Sequence, residues 1–104
     1  MTSEREPTTG ADRAEVDRQI TKIRQRMDSL DARLVALLNE RASCAKEIGL
    51  LKDTVGLAVY QPDREIEVLN QVRARNEGPL NAEAITRVFE RIIDEARRLE
   101  RSTD

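Results

Sequence analysis

A long, uninterrupted helical pattern of apolar residues constrains the fold of this chain more than any other feature. Between positions 20 and 51 the apolar side chains recur at alternating steps of three and four, which is the spacing of a coiled-coil seam. The seam positions are Ile20, Ile23, Met27, Leu30, Leu34, Leu37, Arg41, Cys44, Ile48 and Leu51. No proline interrupts them, and Gly49 costs a helix only about 1 kcal/mol. The pattern predicts a single helix of about 40 residues.

Two shorter helices are predicted after the long one. Pro62 suits the first turn of a second helix, which residues 76–79 (NEGP) would end. Asn81 is well placed to cap a third helix that ends near Glu100. Residues 1–14 are polar and are expected to form a disordered tail. Residues 15–104 are therefore expected to form one all-α domain with one long and two shorter helices.

The length of the first helix predicts a homodimer. A helix of about 40 residues extends about 60 Å, whereas a compact domain of about 100 residues has a radius of gyration of only about 13 Å. The chain cannot cover such a seam by itself, so a second copy is expected to pack on the exposed part. We expect an intertwined, antiparallel homodimer.

Composition excludes several classes of function. The chain of 104 residues contains no histidine and one cysteine, Cys44, so metal and redox chemistry are not expected and no cofactor is predicted. The net charge is −2 and the cations are spread along the sequence, which argues against a nucleic-acid partner. No apolar run is long enough to cross a membrane, and the N-terminus lacks the hydrophobic stretch of a signal peptide. We therefore expect a cytoplasmic protein.

Three cations along the long helix suggest an anion-binding site. Arg41 replaces an apolar residue in the seam, and a buried guanidinium needs an anionic partner. Lys52 lies eleven residues later on the same face, at an axial separation of about 16 Å. Arg24 is about 42 Å from Lys52 along the helix. An antiparallel partner crossing near residue 35 would place its Arg24 between the other two cations, although an internal salt bridge or ordinary solvated charges would also explain these residues.

Three segments resemble the all-helical chorismate mutase family, including the mutase domain of bifunctional prephenate dehydratases. The resemblance covers residues 16–101 and is carried by IRQRMDSLDARLVALLNERASCAKEIGLLK, YQPDREIEVLNQVRARNEGPL and ITRVFERIIDEARRLE. It implies an isomerase of the shikimate pathway that rearranges chorismate to prephenate for phenylalanine and tyrosine biosynthesis. Such a rearrangement is unimolecular and needs no nucleophile, metal or cofactor.

The resemblance also implies roles for individual residues. Arg24 is expected to come from the neighbouring subunit, while Arg41 and Arg64 hold the carboxylates of the substrate. Lys52 corresponds to the lysine that contacts the ether oxygen and a carboxylate. Glu65 corresponds to the acid that accepts the substrate hydroxyl.

Three positions depart from the pattern of some family members. Gln61 replaces an aspartate at a position that can act through its backbone amide, and Ala96 replaces a serine that donates to a carboxylate. Glu100 stands where several members have glutamine, so it must be protonated to stabilise charge on the ether oxygen. Arg41, Lys52 and Glu100 are the expected catalytic residues. The apolar walls are expected to include Ala45, Ile48 and Ile93, although plain core packing would explain each of them equally well. Cys44 is expected to be ordinary core.

Two alternatives to a mutase remain open on the sequence. An isochorismate-pyruvate lyase would use a related scaffold with the same carboxylate-binding cations but would release pyruvate from isochorismate. A non-catalytic helical dimerisation or regulatory module would use its arginines only in salt bridges. Such a module should tolerate Arg41→Leu, whereas an anion-binding enzyme should lose activity.

Overall fold

Three α-helices make up the part of the chain that the computed structural model describes, residues 10–101. They are α1 (Gly10–Thr54), α2 (Pro62–Arg75) and α3 (Ala82–Arg101), and no strand occurs within this range. The expected all-α class with one long and two shorter helices is confirmed. The chain divides into two compact units, with the division between Leu37 and Leu38.

The first helix begins earlier than the sequence predicted. Residues 1–9 of the predicted tail lie outside the described residues, but residues 10–14 are helical, so the prediction of disorder was wrong for them. Exposed ion pairs one turn apart favour this extension of the helix. The pairs join Arg13 to Asp17 at 3.2 Å and Arg18 to Glu15 at 2.7 Å.

In the first unit, the apolar side chains of α1 are exposed. Those at the seam positions, together with Val16, are between 39% and 57% accessible. They are Val16, Ile20, Ile23, Met27, Leu30, Leu34 and Leu37. A contiguous apolar face of this size is typical of a protein–protein contact. This exposed seam is the surface on which a partner helix was expected.

The second unit contains the C-terminal part of α1, α2 and α3. The residues buried in it are Val68 from α2 and Ala96 from α3, and these two helices pack against each other. The spacing of Ile66, Leu69 and Val72 predicts that they form the inner face of α2. Leu69 and Val72 are half-buried, whereas Ile66 is 58% exposed and Val68 is the buried residue of this helix.

The helix ends follow local sequence chemistry. The carbonyl of Lys52 accepts hydrogen bonds from the backbone N–H groups of Val55 and Leu57, and Gly56 then turns the chain with φ of +72°. Pro62 occupies the first turn of α2 as predicted. The predicted cap of α3 is confirmed, since Asn81 Oδ1 accepts from the N–H of Ala84 at 2.8 Å. The loop between α1 and α2 contributes Val59 and Gln61 to the cavity that is described next.

Candidate active site

A cavity of about 440 Å³ lies within the second unit. This volume falls in the range of small-molecule sites, about 300–1,000 Å³. All three helices and the loop before α2 contribute to its walls. Its lining consists of Arg41, Cys44, Ala45, Ile48, Lys52, Val59, Gln61, Arg64, Glu65, Val68, Ile93, Ala96, Arg97 and Glu100. The structure therefore brings together the predicted site residues of this unit.

Helix α1 contributes two cations to the cavity, of which Lys52 interacts electrostatically with Glu100. Arg41 and Lys52 are half-buried, and no carboxylate among residues 10–101 forms an ion pair with either of them. Lys52 Nζ donates a long hydrogen bond, 3.5 Å, to the carbonyl of Val59. The internal salt bridge that could have explained Arg41 is therefore absent from the described part of the chain. Glu65 and Glu100 also line the cavity, but Glu65 pairs with Arg97 and the pKa of Glu100 is raised. Partly buried cations that form no ion pair favour binding of an anionic ligand.

The start of α2 contributes an exposed cation and the residue that caps the helix. Gln61 is extended, with φ of −132°, and its carbonyl accepts hydrogen bonds from the N–H groups of Arg64 and Glu65. The Arg64 guanidinium pairs with Glu67 one turn along, and both side chains are more than half exposed. A surface pair of this kind contributes about 0–1 kcal/mol, so Arg64 can exchange Glu67 for a ligand at little cost.

Glu65 is paired with Arg97, a cation that was not among the predicted site residues. Its Oε2 accepts from the Arg97 guanidinium of α3, and both side chains are only about a quarter exposed, 26% and 25%. This hydrogen bond raises the pKa of Arg97 further above its ordinary value. The available signal was the position of Arg97 on α3, four residues after the inward-facing Ile93 and three before Glu100. A charged residue on this inward face of α3 indicates either a buried ion pair or a ligand-binding site.

Glu100 lies against the backbone of α1. A Cβ added to Gly49 would come within 3.0 Å of Glu100 Oε2, so the glycine provides the space for the carboxyl group. Burial raises the pKa of Glu100, and this effect exceeds the opposing influence of Lys52 and Arg97. In the sequence Gly49 is only a tolerable interruption of a helix, because its close approach to Glu100 depends on a residue of another helix.

The apolar wall agrees with the prediction except at Cys44. Ala45, Ile48 and Ile93 line the cavity as expected, and Ala96 is buried beside them without a polar group. Cys44 was expected to be core, but it is exposed and lines the cavity. The face of α1 that carries Cys44 and Ile48 is therefore accessible to solvent.

Arg24 is the one predicted site residue outside the cavity lining. It lies in the first unit, in the N-terminal part of α1, and its side chain is exposed. Within residues 10–101 no group of three or more histidine, cysteine, aspartate and glutamate side chains could hold a metal ion. None of the described helices combines the length and apolar character needed to cross a membrane.

Residues 10–101 therefore form a small all-helical domain whose cavity is lined by the cations Arg41, Lys52, Arg64 and Arg97. Residues 23–101 match the family model described as chorismate mutase type II. The bifunctional chorismate mutase/prephenate dehydratase of Neisseria gonorrhoeae is 41% identical over 86 residues, which are 83% of this chain and 23% of that protein. The corresponding protein of Pseudomonas aeruginosa is 38% identical over 87 residues, 79% of this chain and 24% of that protein. The chain belongs to the chorismate mutase type II family, and the expected resemblance is confirmed.

Solved structures support the same family. Chorismate mutase (form II) from Thermus thermophilus aligns with a TM-score of 0.80 at 35% identity, covering 83% of this chain and 98% of that one. Chorismate mutase from Helicobacter pylori in complex with prephenate aligns with a TM-score of 0.74 at 29% identity, covering 80% and 90%. The chain spans about a quarter of the length of the bifunctional relatives named above.

Proposed function

We propose that this chain is a chorismate mutase, which rearranges chorismate to prephenate in phenylalanine and tyrosine biosynthesis. The observation that carries the proposal is the pair of half-buried cations, Arg41 and Lys52, which line the cavity and form no ion pair with a carboxylate of the described residues. Chorismate carries two carboxylates, which these cations would neutralise. Membership in the mutase family and the prephenate complex of the Helicobacter pylori relative support this choice of dicarboxylate.

Binding would hold the substrate in a compact conformation. The planar forks of Arg41 and Arg64 suit bidentate contacts with carboxylates. Glu65 would accept a hydrogen bond from the ring hydroxyl, and Gln61 would contribute its backbone amide. Binding would fix the flexible enolpyruvyl arm above the ring in the reactive conformer. Positioning of this kind removes a large part of the activation barrier of a unimolecular reaction.

Lys52 and Glu100 would stabilise the transition state. The ether C–O bond breaks while a C–C bond forms, so negative charge grows on the ether oxygen without any proton transfer to the protein. A protonated Glu100 can donate to that oxygen, whereas an ionised one would repel it. The raised pKa of Glu100 favours the donor form. No cofactor is needed in this scheme.

The site would be completed by a second copy of the chain. The exposed seam within residues 10–37 supports an antiparallel homodimer, because an isolated amphipathic helix gains its stability from packing of its apolar face. In this arrangement Arg24 of the partner would add a third cation beside Arg41 and Lys52. We place the enzyme in the cytoplasm, with a small-molecule substrate and without nucleic-acid or membrane partners.

Product identification tests the proposal. Purified protein is incubated separately with chorismate and with isochorismate, and the products are separated by chromatography and identified by NMR. We expect prephenate from chorismate and no pyruvate from isochorismate. Pyruvate release without prephenate would assign the lyase reaction, and no turnover of either compound would support the non-catalytic module.

A further inference from the structure

The ion pair between Glu65 and Arg97 differs from the surface pairs of this chain. It connects α2 with α3 across 32 positions of sequence, and both side chains are about three-quarters buried. Arg64 and Glu67, by contrast, pair within one helix and are largely exposed. A pair that is partly withdrawn from water is screened less by solvent and fixes its partners more firmly.

Arg97 is itself held by its surroundings. Its guanidinium carbon lies 4.7 Å from the centroid of the Tyr60 ring, within the range of a cation–π contact. Asp94 lies 3.8 Å from the Arg97 Nη1 atom. The Arg97 Nε is buried and has no hydrogen-bond partner in the described part of the chain. The guanidinium is thus committed to Glu65 and Tyr60, unlike that of Arg41.

We infer that Arg97 is a positioning residue, which holds the Glu65 carboxylate through Oε2 so that Oε1 can accept the hydroxyl of the bound substrate. The inference rests on the proposed function, because Glu65 is assigned to the hydroxyl there. A carboxylate has two oxygens and about four acceptor directions, so binding to Arg97 leaves capacity for a ligand. Without Arg97 the Glu65 side chain would sample several rotamers, and few of them would face the hydroxyl.

A double-mutant cycle distinguishes positioning from direct substrate contact. Arg97→Met retains the methylene packing beside Tyr60 and removes the charge, while Glu65→Ala removes the group that is positioned. We expect each single change to lower kcat/KM about tenfold or more, since small misplacements at a site can cost up to about 100-fold. We expect Arg97→Met to cause less than about a twofold further loss in the Glu65→Ala background, because it acts only through Glu65.

The matched control is Arg98→Met. Arg98 follows Arg97 on α3, is 61% exposed, pairs with Glu95 and does not line the cavity, so kcat/KM should stay near that of the wild type. Folding of every variant is checked by circular dichroism and thermal unfolding. If Arg97→Met fails to fold, Arg97→Lys replaces it, with a smaller loss in the wild-type background and again none in Glu65→Ala.

Equal losses in both backgrounds would overturn the inference, because Arg97 would then act on the substrate directly. Wild-type kcat/KM in a folded Arg97→Met or Arg97→Lys protein would overturn it as well. Failure of the proposed function is recognised separately, because the wild type would then form no prephenate before any variant is measured. The proposed role of Arg97 would be overturned by that result as well.

Discussion

The protonation state of Glu100 controls the charge that the ether oxygen would meet. Burial raises the pKa of this carboxyl above its ordinary 4.5. We expect wild-type kcat/KM to fall as pH rises through this elevated pKa, because the donor form is lost. Glu100→Gln keeps a donor at all pH values, so its profile should be flat over the same range. Rates measured at 0.5-unit intervals from about pH 5 to 8 test this, and parallel profiles for the two proteins would remove Glu100 from the mechanism.

The same carboxyl should influence stability. Because the pKa of Glu100 is higher in the folded than in the unfolded chain, folding favours the protonated form. Its stabilising contribution is complete below pH 4.5 and is lost as pH rises through the folded pKa. Urea unfolding should therefore show a decline in this window that is smaller in Glu100→Gln. An identical pH dependence of unfolding in both proteins would show that the carboxyl is not buried as described.

At the level of elements, the position of the Glu100 side chain of α3 against α1 depends on Gly49. Gly49→Ala should stabilise α1 by up to about 1 kcal/mol through helix propensity. The new methyl group would meet Glu100 Oε2 at 3.0 Å and displace the carboxyl. We expect kcat to fall about tenfold while the melting temperature is unchanged or higher.

Glu100→Ala provides the matched background for this prediction. Without the carboxyl group, Gly49→Ala should cause no further loss of kcat, because nothing remains to be displaced. A loss of the same size in both backgrounds would indicate that the methyl group disturbs the cavity by another route.

The elements also show what sequence can predict. The loop at Gly56, the start of α2 at Pro62 and the cap at Asn81 were predictable because each depends on residues within one turn of its own position. The roles of Arg97 and Gly49 were not predictable in this way, because each depends on a residue of another helix. Arg97 contacts Glu65, and Gly49 lies beside Glu100. The helical extension over residues 10–14 was not predicted, because the polar composition of residues 1–14 is typical of a disordered tail.

At the scale of the whole molecule, we predict an active site that is shared between the two subunits of a dimer. Arg24→Ala and Arg41→Ala should each inactivate the homodimer, because every site would lack one cation. In a mixed dimer, one site lacks both cations and the other has both. Refolding an equimolar mixture of the two variants should therefore restore about a quarter of the wild-type activity, since half of randomly formed dimers are mixed.

Size-exclusion chromatography with light scattering provides the control for this experiment. The wild type and both variants should elute as dimers, so that recovery reports on shared sites rather than on assembly. Variants that are dimeric but recover no activity after mixing would contradict a site shared between subunits.

We propose that Arg41 binds the ligand, since it forms no ion pair with a carboxylate among residues 10–101. The most direct test is Arg41→Met, with prephenate formation and urea unfolding measured on the same preparation. We expect kcat/KM for chorismate to fall about 100- to 1,000-fold, because a charge-assisted contact with the substrate is lost. The free energy of unfolding should be equal to or higher than that of the wild type, since a poorly compensated charge is removed. Wild-type turnover by Arg41→Met, or a loss of activity that only follows a loss of folding, would contradict the account.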